Sequence, residues 1–542
     1  MGIYLNCKKP YSLFASEKAK PYFVDKSMIL KELIPFVQSG KSYICITRPR
    51  RFGKTVMANM IGAFFSKGKD SKGLFQDMEI STVKESEKYT SQYNVIYITL
   101  NEVPDECCSF RQYMARIKKI LTEDLMAAFP EYFLNPAAPI WDILNKIYEE
   151  GDFRFLFVLD EWDFIFHRDF VTEEDKREYI HFLSCLLKDQ PYVLLAYMTG
   201  ILPIAKYSSG SELNMFMEYT MASEELYSEY FGFTEQEVDA LYGKYLKLQP
   251  NPQITREGLR TWYDGYHTKS GMRIYNPRSV VASLTNNNLG NYWTSSGPYD
   301  EIFYYIKNNV DEIRDCLALM VSGIPVSAHI QEYAATSMNL STKNEILSAM
   351  VVYGFLSYEN GCVVIPNKEL MDKFADMLQK EPSLGYIHKL AYHSERMLRA
   401  TKTGDTKTML EILEYAHNTE IPLLSYNNET DLTAVVNLVY LSARDSYHIV
   451  REDKAGIGYA DFIFLPVINK DDDCIILELK VNGTPKQAIE QIKSKKYMLR
   501  FMPKLGETPR YIGRILAVGI AYDKACKKHS CEVEVLKDNR CL

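Results

Sequence analysis

The chain has 542 residues, 46% of them apolar and 25% charged, with a net charge of −7. That length exceeds what one hydrophobic core supports, and the negative balance excludes a generic polyanion binder, so several domains are expected and any nucleic-acid surface must be local. With no basic region and apolar stretch at the N-terminus and no apolar run long enough to span a bilayer, the 11 cysteines read as reduced thiols, giving the expectation of a cytoplasmic protein with no membrane partner.

Residues 1–228 alternate strand-like and helix-like segments. The strand candidates are Tyr43–Thr47, Asn94–Leu100, Phe155–Leu159 and Val193–Met198, each short, apolar and followed by polar or glycine-containing residues. Such alternation predicts a parallel sheet covered by helices, with ligands at the carboxyl ends of the strands. Thr234 and Glu237 fit a capping box opening a helix over Glu235–Leu246. Residues 229–402 read as mainly helical, with one β-like element: Val351–Tyr358, a Glu-Asn-Gly turn, then Cys362–Pro366. A helix followed by a hairpin is a winged-helix-like pattern; a helical bundle with one hairpin is the alternative. Residues 403–542 carry a helix over Glu429–Ser442, strands Ala460–Pro466 and Cys474–Lys480, a helix opened by Thr484-Pro485, and a last strand Arg514–Tyr522.

Two strand ends in the first region carry chemistry. Arg48-Pro49-Arg50-Arg51-Phe52-Gly53-Lys54-Thr55 ends like a phosphate-binding loop but has arginine where the first glycine belongs, so its first turn should differ. It follows a strand and precedes an apolar helix, which puts phosphates at a helix N-terminus. Arg50, Arg51, Phe52, Gly53, Lys54, Thr55 and Val56 form the expected ATP-binding stretch, with the Thr55 hydroxyl on Mg²⁺. Phe155–Leu159 runs into Asp160 and Glu161. There Asp160 is placed to hold Mg²⁺ and Glu161 to orient or deprotonate the attacking water. Thr199, at a further strand end, could sense the γ-phosphate; a plain Thr-Gly turn is the other reading.

The third region holds Asp461 on one strand and Glu478-Leu479-Lys480 on the next. In Glu-x-Lys on a strand both polar side chains face the same way. Two carboxylates suit Mg²⁺ or Mn²⁺, and the lysine can position a water or stabilise charge, which is a metal-assisted phosphodiester hydrolysis site. The helix after Lys480, which carries Lys493, Lys495, Lys496 and Tyr497, could meet a phosphate backbone or be a solvated basic face, and basic residues outnumber acidic ones from 480 to the end. Cys526, His529 and Cys531 make three candidate ligands with no matching fourth nearby, so a basic surface loop is the first reading and zinc the second.

The chain resembles the AAA-ATPase-like proteins that carry a C-terminal PD-(D/E)XK nuclease-type domain. The stretches that carry the likeness are Tyr22–Ser27, the Arg48–Thr55 loop, Asp160–Asp163, Thr199-Gly200, Leu213-Asn214, Trp262–Tyr266, Tyr275–Pro277 and Pro366–Glu369. Arg278 stands where an aromatic is expected and Trp162 where tyrosine is, and neither is expected to touch the implied chemistry. The resemblance implies an α/β multidomain protein. It would comprise a P-loop NTPase (AAA-like) parallel-sheet domain, a helical or winged-helix-like middle region, and a C-terminal restriction-endonuclease-like α/β domain. It also implies roles for Glu429, as a third carboxylate, and for Gln491, in the helix after Lys480. The expected function is an ATPase that regulates a metal-dependent nuclease acting on nucleic acid, DNA before RNA. The alternative is a regulatory ATPase whose last domain binds nucleic acid or a protein without cutting. A homo-oligomer is left open.

Overall fold

Apolar residues in the first region's strands point alternately to two faces, and both faces are covered. β1 (Ser42–Thr47), β2 (Asn94–Thr99), β3 (Phe155–Asp160) and β4 (Val193–Gly200) are joined by a short β5 (Met217–Tyr219) in one all-parallel sheet of order β2-β3-β4-β1-β5. Cys45, Ile98, Phe157 and Met198 enter one core cluster, while Ile46, Tyr97, Val158 and Tyr197 enter another on the opposite face. The structure is a computed structural model. It describes residues 2–104, 107–204, 212–221, 226–293, 306, 310–330, 342–418, 429–455, 458–467, 469–501 and 511–538. The chain forms two compact units, Met1–Tyr299 with Ser327–Glu369, and Asp300–Val326 with Leu370–Leu542. No helix among the described residues is long and apolar enough to cross a membrane.

In the first unit, α1 (Lys54–Phe65) follows β1 directly. The capping box of Thr234 and Glu237 opens α2 (Glu235–Leu248), and Asn276 caps α3 (Pro277–Asn286) by accepting from the Ser279 amide at 3.2 Å. Val351 and Val352 are not strand residues: they close α4 (Lys343–Val352), and the hairpin is shorter, β6 (Ser357–Glu359) with β7 (Cys362–Val364). Two β-branched residues favour a strand by propensity. Here the capping box of Thr342 and Glu345 starts a helix whose Ile346, Leu347, Ala349 and Met350 are all buried, and packing overrides the local preference.

The second unit holds α5 (Glu429–Val439) and a mixed sheet. Its strands are β8 (Tyr447–Ala455), β9 (Gly458–Pro466), β10 (Cys474–Val481), β11 (Arg514–Asp523) and β12 (Lys528–Asp538), in that order. Only β10 and β11 run parallel. Arg514–Asp523 is therefore not the last strand. β12 follows it and β8 precedes β9, and these two are the edges of the sheet. α6 (Pro485–Ser494), opened by Thr484 with a capping box to Gln487, packs across β10 and β11.

Gly519 on β11 makes that packing close: a Cβ there would lie 2.3 Å from the backbone oxygen of Pro485. Backbone cannot swing away as a side chain can, so Gly519→Ala must push α6 off the sheet. Overpacking of this kind costs about 1–3 kcal/mol. Thermal unfolding should show the transition of the C-terminal unit lowered by about 3–10 °C. An unchanged transition would mean that the helix start yields without cost.

Candidate functional site

The phosphate loop turns at two positions. Gly53 takes φ +91° and Arg51 φ +70°, so the left-handed residues fall late in the loop and none falls at 48. Arg48 is 1% exposed and points inward. Its Nη1 donates to the carbonyls of Thr47 and Tyr219, both at 2.8 Å, and its guanidinium lies 5.2 Å over the Phe231 ring. The residue that replaces the first glycine is thus a brace between β1, β5 and the segment that follows. Phe52 is also turned inward, edge-on to Tyr266 at 5.0 Å, and the Tyr266 hydroxyl donates to the Gly354 carbonyl at 2.8 Å. The Trp262–Tyr266 stretch therefore supports the loop from behind.

Lys54 is buried, with Nζ donating to the carbonyls of Arg48 (2.8 Å) and Pro49 (3.0 Å). Burial pushes its pKa down to about 8, against the pull of Asp163, Glu161 and Asp160. Asp160 ends β3 beside Thr199 of β4. Both are fully buried. Neither Asp160 oxygen, nor the Thr199 hydroxyl, has a hydrogen-bond partner among the described residues. Burial first, then the Glu161 charge, raises the Asp160 pKa to about 7, with Thr55 and Lys54 offsetting only part. A divalent cation held by Thr55 and Asp160 through a water shell would supply the partners those carboxylate oxygens lack, so these residues fit Mg²⁺.

Glu161 takes φ +53° and accepts from Asn101 Nδ2 at 2.7 Å. Asn101 stands just past the end of β2, and its only sequence signal was that position. Asp163 accepts from the amides of Ile201 and Leu202 at 2.9 and 2.8 Å, and Trp162 Nε1 donates to Leu202 O at 3.2 Å. These two residues lock the end of β3 to the loop after β4. A cleft of about 600 Å³ opens over the loop, lined by Arg50 through Val56 and by Glu161. Tyr22, Phe23 and Val24 also line it, as does Arg278 of α3. The volume and the mix of apolar and charged wall suit a nucleotide. The aromatic that the family pattern puts at 278 is here a cation in the cleft lining, contrary to the expectation that it stands apart, and its charge, with that of Arg50, depresses the Arg51 pKa after burial does. Asp160 and Thr199 lie behind the cleft wall, not on it.

The second cluster sits in the mixed sheet. The β9–β10 pairing ends at Phe462 with Leu477, and the next residues outward are Asp461 and Glu478. Asp461 Oδ2 accepts from the Leu479 amide at 2.7 Å. Glu478 is 1% exposed; its Oε1 has no partner among the described residues, and its Oε2 lies 3.7 Å from Lys480 Nζ. Burial, then Asp461's charge, pushes the Glu478 carboxyl well above the usual range, and Lys480 offsets only part of that. Two crowded carboxylates with an unpartnered oxygen are what a hard cation would satisfy, and Mg²⁺ is commonly held by one or two carboxylates with waters completing its shell.

Gln491 lies on α6, half-buried, donating to the Tyr497 hydroxyl at 3.4 Å. Tyr497 is not on that helix, which ends at Ser494; it opens a 3₁₀ turn, Tyr497–Phe501, and is buried. Lys493 is ion-paired with Glu534 at 2.6 Å, whereas Lys495 and Lys496 are exposed. Glu429 begins α5, but its side chain is outside the described part of the structure. At the C-terminal hairpin, His529 is buried with its amide donating to Glu414 Oε1 at 2.6 Å, and Cys526 is exposed. Among the described residues no three His, Cys, Asp or Glu side chains converge as metal ligands.

A phosphate loop on a parallel sheet and a carboxylate pair with lysine on a mixed sheet define a chain of two chemistries. Residues 14–209 match the family described as "Predicted AAA-ATPase", and residues 427–523 match the PD-(D/E)XK nuclease superfamily. The chain thus carries an AAA-ATPase-like domain and a PD-(D/E)XK nuclease-superfamily domain, domain types that use a nucleotide and, typically, a divalent metal. No curated protein matches it. Among solved structures it is similar to the Walker-type ATPase of Pyrococcus abyssi (TM-score 0.37, 11% identity, 64% of this chain and 94% of that one). It is also similar to the Aeropyrum pernix ORC2 protein in its ADPNP–ADP complexes (TM-score 0.32, 12% identity, 64% and 92%). A third is the Aeropyrum pernix ORC1 protein in complex with DNA (TM-score 0.28, 12% identity, 67% and 94%).

Proposed function

We propose that this protein is an ATP-regulated, metal-dependent nuclease. Residues 1–228 serve as the ATPase, 229–402 as its lid and connector, and 403–542 as the cleaving domain. The observation that carries the reading is the Asp461–Glu478–Lys480 cluster, with a buried, unpartnered carboxylate oxygen beside an ammonium group. In the ATPase part, Lys54 and the loop amides hold the phosphates, Arg50 and Arg51 neutralise them, Thr55 and Asp160 hold Mg²⁺, Glu161 orients or deprotonates the attacking water, and Thr199 senses the γ-phosphate. In the nuclease part, Asp461 and Glu478, joined by Glu429, hold Mg²⁺ or Mn²⁺, which supplies Lewis acidity when bound. Lys480 stabilises charge on the phosphate and Gln491 fixes the nucleophilic side. DNA is the first substrate to test. Incubating purified protein with DNA and RNA panels, with and without ATP and Mg²⁺ or Mn²⁺, should give metal-dependent cleavage that changes with ATP. No cleavage under any metal, with nucleic acid still bound, would replace this reading with that of a regulatory binding ATPase.

The shifted groups set a pH window for nucleotide binding. Asp160 carries a proton below about 7 in the empty site, and Mg²⁺ displaces it, so affinity should rise with pH up to about 7. Lys54 is charged below about 8, and the phosphates bind that form, so affinity should fall above about 8. Calorimetry in buffers of differing ionisation heat should show proton release on binding below about pH 7 and uptake above about pH 8. Asp160→Asn should lose the acidic limb alone. A profile matching that of ATP itself would refute both assignments.

A further inference from the structure

We infer that Tyr497 is a positioning residue for the carboxylate pair: its phenol holds the end of β9 that carries Asp461 and ties it to Gln491. This rests on the metal-site reading given above. β9 and β10 pair from Phe464 only as far as Phe462, so Tyr459 and Asp461 lie beyond the ladder on that side. β8 still pairs with this strand end as far as Gly458, but no ladder holds it on the β10 side, and a metal ligand must hold its position to within a fraction of an ångström. The Tyr497 hydroxyl adds a further hold to the β8 ladder: it donates to the Tyr459 carbonyl at 2.7 Å. Its lone pair accepts from Gln491 Nε2 at 3.4 Å, so one hydroxyl joins the strand end to α6. Asp461 is two residues from Tyr459 on the same strand face and turns its own Oδ2 onto the Leu479 amide.

The surroundings are built for this contact. The Tyr497 ring is 1% exposed, packed in the cluster of Ile463, Ile489, Ile492 and Phe501, so it cannot drift. Lys496 takes φ +55°, which turns the chain after α6 just before the ring enters that cluster. Gly458 leaves the space: a Cβ there would stand 3.0 Å from the Tyr497 oxygen. The phenol stands close enough to Glu478 and Asp461 to feel both charges, which add to the effect of burial in pushing it up.

The test uses the full chain without nucleotide and Mn²⁺ as probe, followed by electron paramagnetic resonance of the unbound ion. Asp461→Asn identifies the share of binding that belongs to this site. Tyr497→Phe keeps the ring and its packing but removes both hydrogen bonds. Outer partners of metal ligands typically change affinity about 10- to 100-fold, so Tyr497→Phe should weaken this share about 10-fold with little change in melting temperature. Gln491→Ala, which breaks the link from the helix side, should weaken it less and serves if Tyr497→Phe fails to fold. In cleavage assays the Mn²⁺ requirement should rise while the KM for nucleic acid holds. Wild-type affinity in Tyr497→Phe, or in Gln491→Ala where that variant stands in, overturns the inference. Wild-type binding that is indifferent to Asp461→Asn overturns the metal-site reading instead, and the two failures are thus separable.

Discussion

Lys480→Ala should reduce metal-dependent cleavage by about 10²–10³-fold while Mn²⁺ binding survives, since removing one preorganised charge stabiliser from an active site costs on that order. The two halves of that result have different causes. Lys480 does not belong to the carboxylate pair; its Nζ stands 3.7 Å from Glu478 Oε2, a quarter exposed, where a phosphate oxygen can reach it. Losing it removes charge stabilisation in the transition state and leaves the ligands in place. Asp461→Ala should instead remove cleavage and metal binding together, because in the proposed site Asp461 shares the cation, and it also satisfies the Leu479 amide next to Glu478. A quench-flow or endpoint assay over a range of Mg²⁺ and Mn²⁺ separates the variants: excess metal cannot restore Lys480→Ala. Full activity in both variants would remove the nuclease reading, whatever the fold.

The second large effect is at Lys54. Lys54→Ala should abolish nucleotide binding at millimolar ATP and with it hydrolysis. In the proposed site the lysine is the central cation of the loop, and its ammonium, now bonded to the carbonyls of Arg48 and Pro49, would turn to the phosphates. The direct measure is thermal stabilisation. A ligand at 100 times its Kd stabilises a fold by about 2.7 kcal/mol, so ATP should raise the melting temperature of the wild type and leave the variant unmoved. The same variant reports on regulation. If ATP governs cleavage, Lys54→Ala fixes the nuclease in its ATP-free behaviour; cleavage that still responds to ATP would place the control elsewhere.

β1 to β4 of the first sheet, among which β2 is an edge, and the three inner strands of the second were legible because each carries a short, largely buried apolar run. The strands that escaped, β5, β8 and β12, all lie on sheet edges. An edge strand can have solvent on one flank and tolerate charge, as Arg-Glu-Asp-Lys in β8 and the Glu-Val-Glu-Val alternation of β12 show, and such strands lack an apolar run; β2, also an edge, is buried and keeps one. Val351-Val352 misled in the opposite direction, as a strand-like dipeptide enclosed by a helix whose faces are buried.

The amino-acid sequence by itself determined which side chains meet their near neighbours. Gly53-Lys54-Thr55 must lie at a strand-to-helix turn, and Glu478 and Lys480 must share a strand face, because backbone geometry alone relates residues so close together. Only the tertiary structure decided what Arg48, Asn101 and Tyr497 do. Arg48 leaves the phosphate loop for Tyr219, Asn101 reaches Glu161, and Tyr497 reaches back to Tyr459. Each of these contacts spans dozens of residues of chain, so it is set by how buried surfaces pack and by the requirement that buried polar groups find partners, and no local pattern encodes it.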